Sequence, residues 1–217
     1  MNTTVYLIRH SEKFDKSIIK DYKTNQNNLL KEEKHILSVE GERRALILSE
    51  LDELKNIDAV YTSNCVRTLE TAKYLLDRQK LMVTIDDRFD ERRVGIPNDK
   101  EYPDWYIRQY ENINFKTING ESLKDVRNRF TNAFNESINE HKGKRIAIFT
   151  HGNAIKFFLL TWCKLESIIS DKEVHISYKG KMIIDKELNA PEIFKLTLNN
   201  NLKPINIERL EFTELNS

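Results

Sequence analysis

The chain has 217 residues, 39% of them apolar and 32% charged, a balance that suits one globular domain over residues 1–217. Thirty-five Lys and Arg against 34 Asp and Glu leave a formal charge of +1, so no overall field favours nucleic acid or an anionic membrane, and neither is expected as a partner. Two cysteines, Cys65 and Cys163, make no disulfide framework and have no metal-ligand spacing. The N-terminus enters a strand without a leader pattern, and no apolar stretch approaches the roughly 20 residues of a membrane helix, so a cytoplasmic location is expected.

The first element is the apolar run Val5, Tyr6, Leu7, Ile8, which reads as a parallel strand covered on both faces and ends at Arg9 and His10. A polar stretch over residues 13–34 reads as loop. Ser38 precedes a helix with Ala45, Leu48, Leu51 and Leu54 toward the core, and with Glu40 and Glu42 at its positive end. Ala59, Val60 and Tyr61 form a second strand, followed from about Cys65 by a helix with Leu69, Ala72, Leu75 and Leu76 at three- and four-residue spacing. Residues 81–85 are a third strand. Ser122 with Asp125 predicts a capping box, and Leu123, Val126, Phe130 and Ala133 a core stripe. Residues 146–149 are a fourth strand, ending at Thr150 and His151, and a helix starts at Asn153.

Strands alternating with helices predict an α/β fold, three-layer α/β/α, with a mostly parallel central sheet and helices on both faces. The tail differs. Residues 181–185, 192–198 and 205–212 have β-like patterns separated by Asn199, Asn200 and Asn201, and are expected to add C-terminal edge strands.

Two strands thus deliver His10 and His151 at carboxyl ends, where open α/β sheets place their chemistry. Arg9 offers a flat fork for phosphate or carboxylate oxygens. Arg67 lies in the first turn of the helix after the second strand, where a cation opposes the helix dipole unless an anion binds there too. After the third strand come Arg88, Asp90, Glu91, Arg92 and Arg93, where burial and nearby charge can tune a carboxylate for proton transfer. Plainer roles compete: structural histidines, an Arg67–Glu70 ion pair at i,i+3, and a solvated Glu91 paired with Arg88 or Arg93, with Asp90 as rival acid. His35, His141 and His175 read as a loop or surface residue, a polar-loop residue and a strand residue, without a role.

Taken in order, Arg9-His10-Ser11-Glu12, Leu37-Ser38-Val39-Glu40-Gly41, Ser63 to Arg67 with Glu70-Thr71-Ala72, Glu91-Arg92-Arg93-Val94-Gly95, Glu121-Ser122 and His151-Gly152-Asn153 resemble the motifs of the histidine phosphatase superfamily, also called phosphoglycerate-mutase-like. The resemblance implies a three-layer α/β fold and metal-independent phosphoryl transfer through a phosphohistidine, with no cofactor. It implies His10 as nucleophile, Arg9, Arg67 and His151 on the non-bridging oxygens, and Glu91 as proton donor and acceptor. Ser11, Lys13, Arg92, Gly152 and Asn153 are substrate-binding candidates. Ser11 stands where the family usually has glycine, and Lys13 where Ser or Thr is common, so the phosphate pocket differs in shape and charge.

The expected substrate is a small phosphomonoester and the product inorganic phosphate. A mutase must hold its product away from water with extra cations. Residues 95–121 offer only Lys100, Arg108 and Lys116 as further cations, beside Tyr102, Trp105, Tyr106 and Tyr110, which favours hydrolysis. A phosphoglycerate mutase and a phosphate-binding regulatory module are the competing readings.

Overall fold

The computed structural model describes residues 2–15, 32–96, 104–170 and 172–210; most of the polar stretch, together with Lys100, Tyr102 and Phe212, lies outside them. Among the described residues the order is β1 (Thr3–Arg9), α1 (Val39–Leu48), β2 (Ala59–Thr62), α2 (Val66–Gln79), β3 (Val83–Ile85), α3 (Trp105–Glu111), α4 (Leu123–Glu140), β4 (Arg145–Thr150), α5 (Gly152–Leu159), β5 (Lys164–Ile168), β6 (Val174–Tyr178), β7 (Lys181–Ile184), β8 (Glu192–Leu198) and β9 (Pro204–Leu210). The central sheet has the order β3-β2-β4-β1-β8-β9. The first four of these run parallel, and β8 and β9 add antiparallel at the C-terminal edge.

Why the sheet is covered on both sides follows from the period of two along its central strands. Val5 and Leu7 of β1, with Ile146 and Ile148 of β4, pack with Phe130 and Phe134 of α4 and with Phe157 and Phe158 of α5. Tyr6, Ile8, Ala147 and Phe149 point the other way, onto Leu48 of α1 and Ala72 and Leu75 of α2. Neither face meets water, so no polar residue interrupts the run. The capping box forms: Asp125 N–H donates to the Ser122 hydroxyl at 3.1 Å, and Ser122 N–H to the Asp125 carboxylate at 3.1 Å.

Three expectations are corrected. Residues 181–184 do not join the edge of the central sheet; β7 pairs with β6 in a separate antiparallel sheet, β5-β6-β7. The cause is local. Lys179 and Gly180 both take positive φ, 51° and 80°, forming a two-residue turn that folds β7 straight back on β6. The helix after Ser38 stops at Leu48 rather than running on to Leu54, since Leu51 is extended, although Leu54 is buried in a following 3-10 turn. His35 is buried, with its Nε2 at 2.9 Å from the Phe14 carbonyl. His141 closes α4 against the Tyr61 hydroxyl at 3.1 Å, and His175 lies on β6 as expected. Among the described residues, no helix is long and apolar enough to cross a membrane.

Candidate active site

Because β1 and β4 are parallel neighbours with Arg9 opposite Thr150, the residues that follow leave the same end of the sheet together. His10 N–H donates to the Thr150 carbonyl at 2.9 Å, and the His10 and His151 rings lie edge to face with centroids 5.2 Å apart. Ser63, after β2, joins them through its N–H to the Phe149 carbonyl at 3.0 Å. All three are buried.

The hydrogen bonds fix the proton positions. His10 Nδ1 lies 2.7 Å from the Ser11 carbonyl, which only accepts, so Nδ1 carries the proton and Nε2 keeps its lone pair. Burial pushes the His10 pKa well below its ordinary value, and Arg67 and then Arg9 push it further down. The ring is neutral and nucleophilic near neutral pH. On His151 the tautomer is reversed. Arg67 Nη2 can only donate, so His151 Nδ1 accepts from it at 3.0 Å and Nε2–H donates to the Ser63 hydroxyl at 2.8 Å. Thr68 donates to the Cys65 carbonyl at 2.6 Å, so its oxygen accepts from the Ser63 hydroxyl at 2.8 Å. Burial, followed by Arg67, lowers the His151 pKa well below normal too.

Arg67 is buried, reaches the Glu32 carbonyl at 2.7 Å through Nη1, and has no partner for Nε among the described residues. It makes no pair with Glu70, whose carboxylate instead accepts the Leu37 N–H at 2.6 Å. Arg9 places Nη1 on the carbonyls of Leu188 and Asn189, the latter at 3.0 Å, and its buried Nε has no partner among the described residues. Glu91 meets the start of α5: its carboxylate accepts from the N–H groups of Arg92 at 2.9 Å, Ala154 at 3.1 Å and Asn153 at 3.3 Å. Arg88 is committed to Asp86 and Glu136 rather than to Glu91.

Two clefts meet at Glu91. One, of about 540 Å³, is lined by Arg67, Asp90, Arg92 and Arg93 among others; the other, of about 190 Å³, includes Arg9, Gly152 and Asn153. Asp90 accepts the Asn64 N–H at 2.8 Å, and burial raises its pKa to about 6. Of the remaining candidates, Ser11 is buried, donates its N–H to the Thr71 hydroxyl at 2.9 Å, and has no partner for its own hydroxyl among the described residues. Arg92 lies over the Trp105 ring at 5.2 Å and donates from Nε to the Glu121 carbonyl at 2.9 Å. Lys13 is exposed, bridges to Leu37, and its charge adds to the lowering of both histidines' pKa values. Gly152 sits against Arg9, since a Cβ there would lie 3.4 Å from Arg9 Nε.

Sequence reasoning gave Ser63 and Thr71 no separate task, although both stand in the quoted motifs, and Thr68 was not singled out. The only early signal was their position at a strand end and in the first turns of α2. Donor atoms of Cys65, Asp90 and His151 lie within 4.8 Å of one another, but they do not suit a resident metal ion. Arg67 occupies the His151 lone pair, Ser63 faces the protonated nitrogen, and burial pushes the Cys65 thiol up to about 11.

The family model for the histidine phosphatase superfamily (branch 1) matches residues 5–178, a span that takes in every residue of this cluster except the 188–189 carbonyls. The chain belongs to the histidine phosphatase superfamily. As a superfamily member it is 32% identical over 127 residues to phosphoglycerate mutase-like protein 4 of Arabidopsis thaliana; that match covers 54% of this chain, which spans about half the length of this curated relative, 55%. A mycobacterial glucosyl-3-phosphoglycerate phosphatase in complex with VO3 has the same fold, with a TM-score of 0.68 and 17% identity over 96% of this chain and 98% of that one. The α-ribazole phosphatase of Shigella flexneri gives a TM-score of 0.63 and 16% identity over 95% and 96%.

Proposed function

We propose that this superfamily member is a metal-independent phosphatase of small phosphomonoesters, working through a phosphohistidine on His10 with Glu91 as proton donor and acceptor. The observation that carries the reading is the fixed tautomer of His10: a buried neutral ring whose Nδ1–H is tied to Ser11, leaving the Nε2 lone pair for attack. That lone pair forms a bond to phosphorus as the bond to the leaving oxygen breaks, and the leaving oxygen takes a proton from Glu91. Water then attacks the phosphohistidine and yields its proton to Glu91. The P–N bond breaks, its electrons return to Nε2, and inorganic phosphate leaves.

The unpartnered donors of Arg9 and Arg67 suit the non-bridging oxygens; His151, expected on those oxygens too, has both ring nitrogens taken by Arg67 and Ser63 and serves instead to hold Arg67 in place. Glu91 is preferred over Asp90 because it lines both clefts and lies beside Arg9, whereas Asp90 lines only the larger cleft. The vanadate held by the mycobacterial likeness agrees with an anion cradle.

The test is phosphate release from aryl and sugar phosphates with a chelator present. His10→Ala should abolish turnover together with the acid-labile, base-stable trapped phosphate. Glu91→Gln should cost about 10²- to 10⁴-fold with an alkyl leaving group and less with an activated aryl one. Turnover surviving His10→Ala, or Asp90→Asn costing more than Glu91→Gln, would overturn the respective assignment. The likeness to a mutase-like protein favours one second reading, a phosphoglycerate mutase. It would be supported by isomerisation of phosphoglycerate outpacing hydrolysis when 2,3-bisphosphoglycerate is supplied.

A further inference from the structure

The Arg9 side chain is held from behind by a segment far along the chain. β1 pairs with β8 so that Arg9 faces Glu192 across the sheet, and the loop before β8 passes over the end of β1. Two consecutive carbonyls of that loop, Leu188 and Asn189, accept from Arg9 Nη1. The loop is itself fastened. The Asn189 N–H donates to Glu192 Oε2 at 3.0 Å, and Arg209 Nη2 of β9 donates to the same oxygen at 2.5 Å. Glu192 is 3% exposed, so this oxygen is shared between two donors out of water. Leu188, 4% exposed, packs its side chain into the core.

We propose that Glu192 is a positioning residue for Arg9: by joining Arg209 to Asn189 it sets the loop whose carbonyls aim the Arg9 fork at the substrate's phosphoryl group. The proposal rests on the phosphatase reading. Its physical basis is the division of labour within one guanidinium. Nη1 is spent on the two carbonyls, while Nε lies beside Gly152 at the start of α5 with no partner. A planar fork turned by its Nη1 end moves all its other donors with it. Preorganised donors stabilise developing charge only when they are already in place, and misplacement by about 1 Å can cost roughly a hundredfold in rate. Glu192 also adds its charge to that of Glu91 and Glu187 around Arg9, favouring the guanidinium in a buried setting.

A double-mutant cycle tests this. Glu192→Gln keeps the shape and one acceptor but removes the charge that binds Arg209 and Asn189 together. In the wild-type background it should lower kcat on an aryl phosphate about tenfold and weaken competitive inhibition by orthophosphate. In an Arg9→Ala background the same change should cost less than about twofold, because the residue it positions is gone. Arg209→Lys, which keeps the charge but not the fork, should show the same dependence on Arg9, and supplies the test if Glu192→Gln does not fold. Equal losses in both backgrounds, the behaviour of a merely structural pair, would overturn the proposal. So would a folded Glu192→Gln enzyme with unchanged kcat and phosphate inhibition. A wild type without phosphatase activity would overturn the phosphatase reading and this proposal with it, whereas an active wild type with additive losses overturns the positioning role alone.

Discussion

At the scale of single residues, the neutrality of the buried His10 ring has a thermodynamic consequence. His10 and His151 both have folded-state pKa values well below the ordinary one, so the unfolded chain binds protons that the folded chain refuses. Stability from these groups is present above about pH 6.5 and is lost as the pH falls below it, at about 1.4 kcal/mol per pH unit for each histidine. Asp90 works in the opposite direction. Its pKa of about 6 lies above that of an unfolded aspartate, so the folded state takes up this proton first and offsets part of the loss between about pH 6 and pH 4. Thermal melts from pH 8 to pH 4 should therefore show a falling Tm below about pH 6.5, a shallower fall for His10→Asn, and a steeper acid limb for Asp90→Asn. A wild-type Tm that stays flat down to about pH 5 would contradict the burial of two neutral rings.

At the scale of elements, the start of α1 docks onto the segment that follows His10. Ser38 donates its N–H to the Glu12 carbonyl at 3.0 Å and its hydroxyl to the Glu12 carboxylate at 2.7 Å. Gly41, in the next turn, lets the two backbones touch: a Cβ there would lie 2.1 Å from the Glu12 carbonyl oxygen. Gly→Ala within a helix ordinarily stabilises by about 1 kcal/mol. Here the sign should reverse, with a loss of roughly 1–3 kcal/mol from overpacking and a fall in kcat as the chain around His10 shifts. Circular-dichroism melts and steady-state kinetics on Gly41→Ala check both, and an unchanged or raised Tm would refute the close approach. Much of this framework was legible in the sequence, for definite reasons. β1 and β4 are covered on both faces and so carry unbroken apolar runs, and α4 advertises its start through Ser122 and Asp125. β5 was not legible because its residues are exposed or only partly buried, and β7 was assigned to the wrong sheet because its pairing was set by a turn, not by its own side chains. In the site, the motifs supplied His10, Arg67 and His151. The hydrogen-bond chain that runs from His151 through Ser63 to Thr68 became visible only once β2 lay beside β4.

At the scale of the whole molecule, a net charge of +1 means that the proposed anion binding rests on the local cluster of Arg9 and Arg67. Binding to the folded state alone stabilises by mass action, about 2.7 kcal/mol at a phosphate concentration one hundred times Kd. For a chain of this size that corresponds to a rise of roughly 5–10 °C in Tm. Arg67→Ala should remove most of the rise, and Arg67→Lys should restore only part of it, because a point charge does not reproduce the fork. A wild type whose Tm ignores millimolar phosphate would show that no such cradle exists. The position of β4 carries a last consequence. It lies between β2 and β1 in the sheet, yet it is made after both, so a chain growing from its N-terminus has no strand to join them until residues 145–150 have appeared. Until then the edges of β1 and β2 that face β4 stay unpaired, a high-contact-order assembly that exposes the growing chain to aggregation. His10 is made before β4 and meets His151 only after it. Recovery of activity on refolding should therefore coincide with the slowest step of sheet closure instead of preceding it.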